Sequence, residues 1–540
     1  MEKTILLGNE AIVRGALEAG VQFVATYPGT PASEIGNTFF KISRSGEFSG
    51  HFEFSTNEKV ALEAGVGASF SGLKTLVAMK NFGLNVCSDA LLPFVYTGTK
   101  GSTVIAVADD PSCHSSAQSE ENSRAFAYLA HLPVLEPADP QECKDFTQLA
   151  FQISERYKIP VIIRTTTRVA HQKMPVKLSK LPAKTVPQVK FIKDVQRFVT
   201  MPPRVLEMKK ELLAKIEAIR DFSEKSKING GPSSGNFNTG IITAGVSYLY
   251  VMEALKELNL NLPVLKLGFF YPLPEKRIKS FIKNLKKVLI VEELEPYLEK
   301  EVKSLAKEVN CHLKILGKNL IPEVGELKPE IVTLAIAKLT NKKYRIQDKG
   351  YKIPVIRRRP QLCPGCPYWL VFGGVKKAIN LKEVIFGGDI GCYMLAGEAP
   401  LFLQDYLSCM GSSIGIAHGI KKASGGRQKL ITFIGDSTFF HAGIPALINT
   451  VFNKSNPLII VMDNQTTAMT GHQPHPGAPV TPDGIKIEEI VKACGVKNLK
   501  VIDPANQAEF VQTIKEFIQK PEVSVVIARH PCIFVKKQKT

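Results

Sequence analysis

No apolar run in this sequence reaches the roughly 18 residues that span a bilayer. Nor does a signal peptide open it: Met1-Glu2-Lys3-Thr4 leads through Ile5-Leu6-Leu7 straight into polar Gly8-Asn9-Glu10. Cysteine is sparse, 10 in 540 residues, which excludes a secreted disulfide scaffold. Cys87, Cys143, Cys311 and Cys494 fall in apolar or helical patterns and read as small core hydrophobes. Low-complexity tracts are missing, as is any repeat at the roughly 20–50-residue periods of solenoids. These absences predict a soluble cytoplasmic protein with no membrane partner.

An arginine-rich block is also missing. There are 69 Lys+Arg against 50 Asp+Glu, a net charge of +19, but the cations are mostly lysines spread along the chain. Aromatics are not interleaved with basic clusters, so a nucleic-acid platform is not expected. A solvated lysine-rich surface is the plainer reading, with an acidic protein partner or anionic cofactors as users of the field. What is present is ordinary globular composition, 44% hydrophobic and 22% charged. At roughly 100–200 residues per domain, the length predicts about three domains.

The first third alternates short apolar runs with helical stretches. Val21–Ala25, Thr75–Met79, Thr103–Ala108 and Pro160–Arg164 read as strands, and Asn57–Phe70 as a helix. This pattern predicts a parallel, doubly wound α/β sheet. It loosens over 171–200, and a charged helix follows from Pro203 to about Lys227. The cluster Asn229-Gly230-Gly231-Pro232-Ser233-Ser234-Gly235 reads as a linker and as the strongest boundary in the chain. A second α/β unit begins at Gly240, and a basic connector containing Arg357-Arg358-Arg359 leads to a third at Gln361. The expected divisions are 1–200, a helical linker 201–239, 240–340, a connector 341–360, and 361–540.

The sharpest chemical signal lies in the third unit. Strand-like Leu430–Ile434 ends in Gly435-Asp436-Ser437, with a helical pattern from about Gly443, and strand-like Leu458–Met462 ends in Asp463-Asn464-Gln465-Thr466. Asp436 and Asn464 are 28 residues apart, enough for one crossover that sets two carboxyl ends side by side. Carboxylate, amide and carbonyl oxygens suit Mg²⁺, which in turn holds a diphosphate. The plainer alternative is two unrelated strand-end turns, since Asp and Asn are common there. The pattern resembles the thiamine-diphosphate motif, with Ser437 in place of its second glycine. That resemblance implies Gly435, Asp436, Ser437, Asn464 and Thr466 as cofactor-binding residues, with Asp436, Asn464 and the Thr466 carbonyl as metal ligands.

Thiamine enzymes also set a glutamate at the head of a small-residue helix, against the aminopyrimidine ring. Asn57-Glu58-Lys59-Val60-Ala61 has that form, with Gly67 nine residues on offering close packing. The alternative for Glu58 is an ordinary acid at a helix N-terminus. Glu63 reads equally as a surface acid. Tyr27-Pro28-Gly29-Thr30-Pro31-Ala32-Ser33 resembles the substrate loop of 2-oxoacid:ferredoxin oxidoreductases. Met79–Asn85, Ala108–Pro111, Ser119–Arg124 and Thr466–Gly477 are similar to the α subunits of indolepyruvate ferredoxin oxidoreductases, and the resemblance covers essentially the whole chain.

That resemblance implies three doubly wound parallel-sheet domains, two of thiamine-diphosphate-binding type flanking a transketolase-C-terminal-like one. It implies oxidative decarboxylation of arylpyruvates through a thiamine diphosphate ylid, with Glu58 and Thr30 catalytic. Aryl-acetyl groups would pass to coenzyme A and electrons to ferredoxin, in a hetero-oligomer with a small β subunit. A non-oxidative 2-oxoacid decarboxylase and a non-catalytic subunit of the same fold are the alternatives. His472 and His475 are candidates to face the substrate, and Arg124 to hold its carboxylate or form a helix salt bridge. Met410 would wedge the cofactor or fill a core. Cys363-Pro-Gly-Cys366 favours metal or redox use over a disulfide, but a site normally needs four thiolates. In the family such a pair ligates a [4Fe–4S] cluster; Cys392 and Cys532 would complete it, with a zinc site or a bare turn left open. Relatives usually continue into a ferredoxin-like domain with repeated Cys-x₂-Cys runs, which this sequence lacks.

Overall fold

Runs such as Leu76-Val77-Ala78 and Val104–Val107 are apolar on both faces of a strand, so they require cover above and below. The computed structural model describes residues 3–183, 189–232, 237–345, 360–478 and 484–536. In it those runs lie within a seven-stranded sheet of order Phe269–Tyr271, Val134–Leu135, Val161–Thr166, Thr103–Asp109, Thr75–Lys80, Phe23–Thr26 and His51–Phe54. All neighbours are parallel except Phe269–Tyr271, which runs antiparallel to Val134–Leu135. That edge strand comes from the middle of the chain. A second sheet, wholly parallel, orders Val264–Leu267, Thr239–Ala244, Lys287–Val291 and Lys314–Leu316. Both sheets share one continuous hydrophobic core. Where the sequence pattern loosens, Lys173–Lys177 pairs antiparallel with Lys3–Leu7, a ribbon the periodicity does not predict.

The chain divides into two compact units, residues 1–350 and 351–540. The glycine-rich cluster at 229 therefore falls inside the first compact unit. Asn229 is buried; its Oδ1 accepts the Gly268 and Phe269 amides at 3.0 and 3.1 Å, and its Nδ2 donates to the Ser223 carbonyl at 2.7 Å. Gly231 has φ +94, and a Cβ there would lie 1.9 Å from the Val264 carbonyl oxygen. Glycine serves there for close backbone approach rather than flexibility. Ser233–Asn236, Arg357-Arg358-Arg359 and Gln538-Lys539-Thr540 lie outside the described residues.

A buried ion network joins the two sheets of the first unit. Arg124, 2% exposed, donates from Nε and Nη2 to the Glu136 carboxylate at 2.7 and 2.6 Å, and from Nη1 to Glu292 at 2.9 Å. Phe270 covers its guanidinium at 4.4 Å. Arg164 reaches Glu136 at 3.2 Å and Asp109 at 2.8 Å. Burial alone would raise the Glu136 pKa, but the two guanidiniums outweigh it and hold it low. Of the two readings of Arg124, substrate ligand or salt bridge, the structure has the salt bridge, made to Glu136 and Glu292, because every guanidinium nitrogen is already engaged. Nearby Glu293 is pushed up to about 7 by burial, only partly relieved by the Leu327 amide.

The second unit holds a five-stranded parallel sheet ordered Val384–Gly387, Lys429–Gly435, Leu458–Asp463, Ser524–Arg529 and Asn498–Ile502. Alternation assigns its faces. Phe433, Ile460, Met462 and Val526 enter one core; Ile434, Ile459, Val461 and Val525 enter the other. The helix after Gly435 starts at Asp436, not near Gly443, and passes through a π-turn at Phe439–Gly443 into Ile444–Phe452. Among the described residues no helix is long and apolar enough to cross a membrane.

Replacing Arg124 by Met leaves buried Glu292 without its guanidinium and Glu136 with Arg164 alone, and urea denaturation should show a loss of about 3–5 kcal/mol. Glu293 takes up its proton more readily folded than unfolded, so its contribution to stability falls as pH rises from 4.5 through about 7. The Glu293→Gln protein should lack that decline in a pH series of denaturation midpoints.

Candidate active site

Each unit presents a cluster at the carboxyl edge of a parallel sheet, where such folds bind ligands. In the first unit, Phe23–Thr26 lies beside His51–Phe54, with Thr26 level with Phe54. The segments leaving these neighbouring ends carry Thr30 and Glu58. Glu58 opens the helix Glu58–Ser71, whose N-cap Asn57 accepts the Val60 amide at 2.8 Å. It is 7% exposed, unusual for a glutamate that served only a helix dipole. Glu63 is a surface acid paired with Lys59 at 2.5 Å.

Close packing around Glu58 differs from the sequence expectation. Gly67 is exposed, and a Cβ there would have nothing within 4 Å. The tight positions are Gly65, where a Cβ would lie 2.6 Å from Val77 Cγ2, and Gly83, where it would lie 2.7 Å from Glu58 Cγ. Gly83 sits in the helix Asn81–Thr97, so the second helix needs a glycine to admit the glutamate. A glycine two residues into an apolar helix was the available signal, but its partner was not visible in the sequence.

In the second unit, Gly435 is in register with Met462, which sets Asp436 and Asn464 beside each other. Asp436 Oδ2 accepts the Gln465 amide at 2.7 Å and lies 3.1 Å from His475 Nε2, while Oδ1 accepts the Ser437 amide at 2.8 Å. Asn464 Oδ1 accepts the Thr466 amide at 3.2 Å, and the Thr467 hydroxyl donates to Ser437 Oγ at 3.0 Å. A Cβ at Gly435 would meet Tyr393 at 2.7 Å, so only glycine fits at this strand end. Asp463 is pushed up to about 6, first by burial and then by the adjacent Asp436, against the pull of Arg529. Two buried carboxylates beside amide and carbonyl oxygens form a hard, anionic donor set that fits Mg²⁺.

His475 is committed to Asp436: burial pulls its pKa down, but Asp436 outweighs that and holds it up. It therefore braces the metal-type loop rather than standing free for a substrate. His472 is half-buried, with its ring 5.6 Å from that of Phe534. Met410 is half-buried, in the loop before Gly411. Asp389, at the end of Val384–Gly387, accepts the Gly411 and Ser413 amides at 2.7 and 2.9 Å and the Ile390 amide at 2.7 Å. Asp389 is a third strand-end acid, and the rule that singled out Asp436 applies to it equally. Burial raises its pKa, opposed by these amides.

Cys363 and Cys532 both act electrostatically on Cys366 and on Cys392. Cys392 is pushed up to about 12 by burial and then by Cys366, Cys532 and Cys363. Cys366 is pushed up to about 11, again mainly by burial. The Cys532 amide donates to the Asn464 carbonyl at 3.0 Å, tying the last cysteine to the Asp436 cluster. Soft thiolates fit an iron–sulfur cluster by donor chemistry. Among the described residues, however, no three His, Cys, Asp or Glu side chains stand as a metal-holding group.

Adding a methyl group at Gly83 should disturb Glu58, whereas one at Gly67 should not. Gly83→Ala is expected to cost about 1–3 kcal/mol by overpacking. Gly67→Ala should be neutral or stabilise by up to about 1 kcal/mol. Chemical denaturation of the two proteins compares them directly.

Known families match this chain over most of its length. Residues 14–232 match the pyruvate flavodoxin/ferredoxin oxidoreductase thiamine-diphosphate-binding family, 232–349 the indolepyruvate oxidoreductase domain, and 389–528 the C-terminal domain of thiamine pyrophosphate enzymes. Indolepyruvate oxidoreductase subunit IorA of Methanothermobacter thermautotrophicus is 44% identical over 549 residues, covering 98% of this chain and 87% of its own. The IorA of Pyrococcus abyssi is 42% identical over 560 residues, covering 98% and 86%. The 2-oxoglutarate:ferredoxin oxidoreductase of Magnetococcus marinus shares the fold, with a TM-score of 0.51 at 19% identity over 62% of this chain and 65% of that one. The chain belongs to the IorA subunit family of indolepyruvate oxidoreductases, thiamine-diphosphate-dependent ferredoxin oxidoreductases.

Proposed function

We propose that this subunit carries out the oxidative decarboxylation of arylpyruvates, indolepyruvate among them, to aryl-acetyl-coenzyme A, with electrons passed to ferredoxin. The observation that carries this reading is the adjacency of Asp436 and Asn464 at one sheet edge, with Thr466 in the same loop. Bound thiamine diphosphate supplies the electron sink that lets carbon dioxide leave a 2-oxoacid. Asp436, Asn464 and the Thr466 carbonyl would hold Mg²⁺, and Gly435 and Ser437 would border the diphosphate. Glu58 would hold a proton against the cofactor's pyrimidine ring from a nearly water-free position. Thr30 would hydrogen-bond the substrate or cofactor, Met410 would shape the cofactor, and His472 would border the substrate.

On this reading residues 1–200 supply the pyrimidine-type domain, 240–340 the middle domain and 361–540 the diphosphate-type domain. Cys363, Cys366, Cys392 and Cys532 would ligate one [4Fe–4S] cluster, a reading supported by the Cys-x₂-Cys pair and the donor chemistry of four thiolates. The relatives' designation as a subunit supports a hetero-oligomer, with a small β subunit as companion. The +19 charge suits phosphorylated cofactors and an acidic electron carrier.

The test is coenzyme A-dependent dye reduction by arylpyruvates in the anaerobically purified complex. Glu58→Gln should lower turnover by at least about 100-fold while a calorimetric titration still shows thiamine diphosphate binding. Asp436→Ala should abolish the Mg²⁺-dependent part of that binding. Full activity in Glu58→Gln, or free aldehyde as the sole product from an iron-free complex, would sink the proposal.

A further inference from the structure

Thr30 stands on a loop, and a loop residue is only as well placed as whatever braces it. Its carbonyl lies 3.2 Å from the Ser115 hydroxyl, in the turn that follows strand Thr103–Asp109. The same hydroxyl lies 3.0 Å from Asp110 Oδ2, so one O–H proton serves two acceptors. Asp110 gathers the turn: its Oδ2 also accepts the Ser115 amide at 2.8 Å and the Ser116 hydroxyl at 2.6 Å, and its Oδ1 accepts the Thr167 hydroxyl at 2.8 Å.

Lys80 closes this cluster. It is buried, donates from Nζ to the Ser115 carbonyl at 3.0 Å, and stands 3.7 Å from Asp110 Oδ2. A Cβ on Gly29 would lie 2.9 Å from Lys80 Cβ, so the lysine stem also abuts the Thr30 loop. Burial lowers the ammonium pKa, against the opposing pull of Asp110.

The outer end of the turn is fixed as well. The Ser112 amide donates to Glu120 at 2.6 Å, and Ser112 Oγ accepts the Glu326 amide at 2.7 Å. Ser112 and Cys113 have φ +64 and +52, left-handed values that non-glycine residues keep only where their surroundings enforce them. Such strain concentrates where geometry serves function.

On the reading of Thr30 given above, we infer that Ser115, held by Lys80 and Asp110, is the positioning residue that sets Thr30 for the 2-oxoacid. Ser115 is exposed, and an exposed hydroxyl contributes little to folding, so the brace acts on placement rather than stability. The charged pair beneath it holds the turn, and the single hydroxyl links the turn to the substrate loop.

The test uses the full chain assembled with its companion subunit and loaded with thiamine diphosphate and Mg²⁺. Ser115→Ala should raise KM for arylpyruvate by about tenfold, the factor one neutral hydrogen bond supports. Its kcat, Tm and thiamine diphosphate Kd should stay at wild-type values. Ser115→Thr, which keeps the hydroxyl, should restore most of the loss, and Lys80→Met should shift KM the same way. An unchanged KM in Ser115→Ala overturns the inference, as does an equal loss in Ser115→Thr or a matching fall in Tm. If Lys80→Met does not fold, the two Ser115 variants decide alone. A wild-type complex without 2-oxoacid turnover overturns the functional reading and this inference together; an active wild type indifferent to Ser115→Ala overturns only the brace.

Discussion

Parallel strands covered on both faces leave one rim where polar side chains can gather, the carboxyl edge, and the chemistry-bearing residues of this chain depend on that constraint. Strand interiors such as Ile459-Ile460-Val461 are committed to the two cores of the second unit. The next residues outward, Asp463 and Asn464, are the first free of that demand. The same holds for Asp436 after Gly435, for Asp389 after Gly387, and in the first unit for Asp109 and Asp110 at the end of Thr103–Asp109. Acids at such rims cost little in packing and meet backbone amides already turned toward them, as Asp389 and Asp436 do.

In the first unit, the same rim is where a second sheet docks. Arg124 and Arg164 answer Asp109, Glu136 and Glu292 there, so a charge-rich edge becomes a buried joint. Burying these groups is tolerable because each is paired; an unpaired member would carry the full desolvation penalty. The joint also explains why the segments on either side of the glycine-rich run lie in one compact unit. Asn229 is bonded into the backbone of Gly268 and Phe269, and the adjoining Phe269–Tyr271 extends the first sheet. A glycine-rich run thus serves close packing, with the compact division falling at residue 350.

Much of the candidate site was legible because its signals are local. A strand that ends in Gly-Asp, and another that ends in Asp-Asn one crossover later, announce themselves by hydrophobic period and spacing. Glu58 was legible as a helix opener after a strand. The packing around it was not: Gly67 looked like the close-contact glycine, yet Gly83, on another helix, is the one that admits the glutamate. Arg124 stayed open between a substrate contact and a salt bridge because its partners lie 12 and 168 residues away, in segments with no pattern that points back to it. His475 stood out only as a histidine on a loop; its bond to Asp436 needs the loop to fold back over 39 residues.

By itself the sequence determined the α/β class, the family, and the residue types at the strand ends, since all of these follow from near-neighbour pattern and spacing. Tertiary structure decided which of those residues are committed to holding the fold and which stand at the rim. It turned Arg124 into a bridge and His475 into a brace, set Asp389 beneath the Met410 loop, and placed Ser115 against Thr30. The physical reason is that a side chain's availability is a balance of desolvation against partners. Those partners are supplied by distant segments that one-dimensional spacing does not bring together.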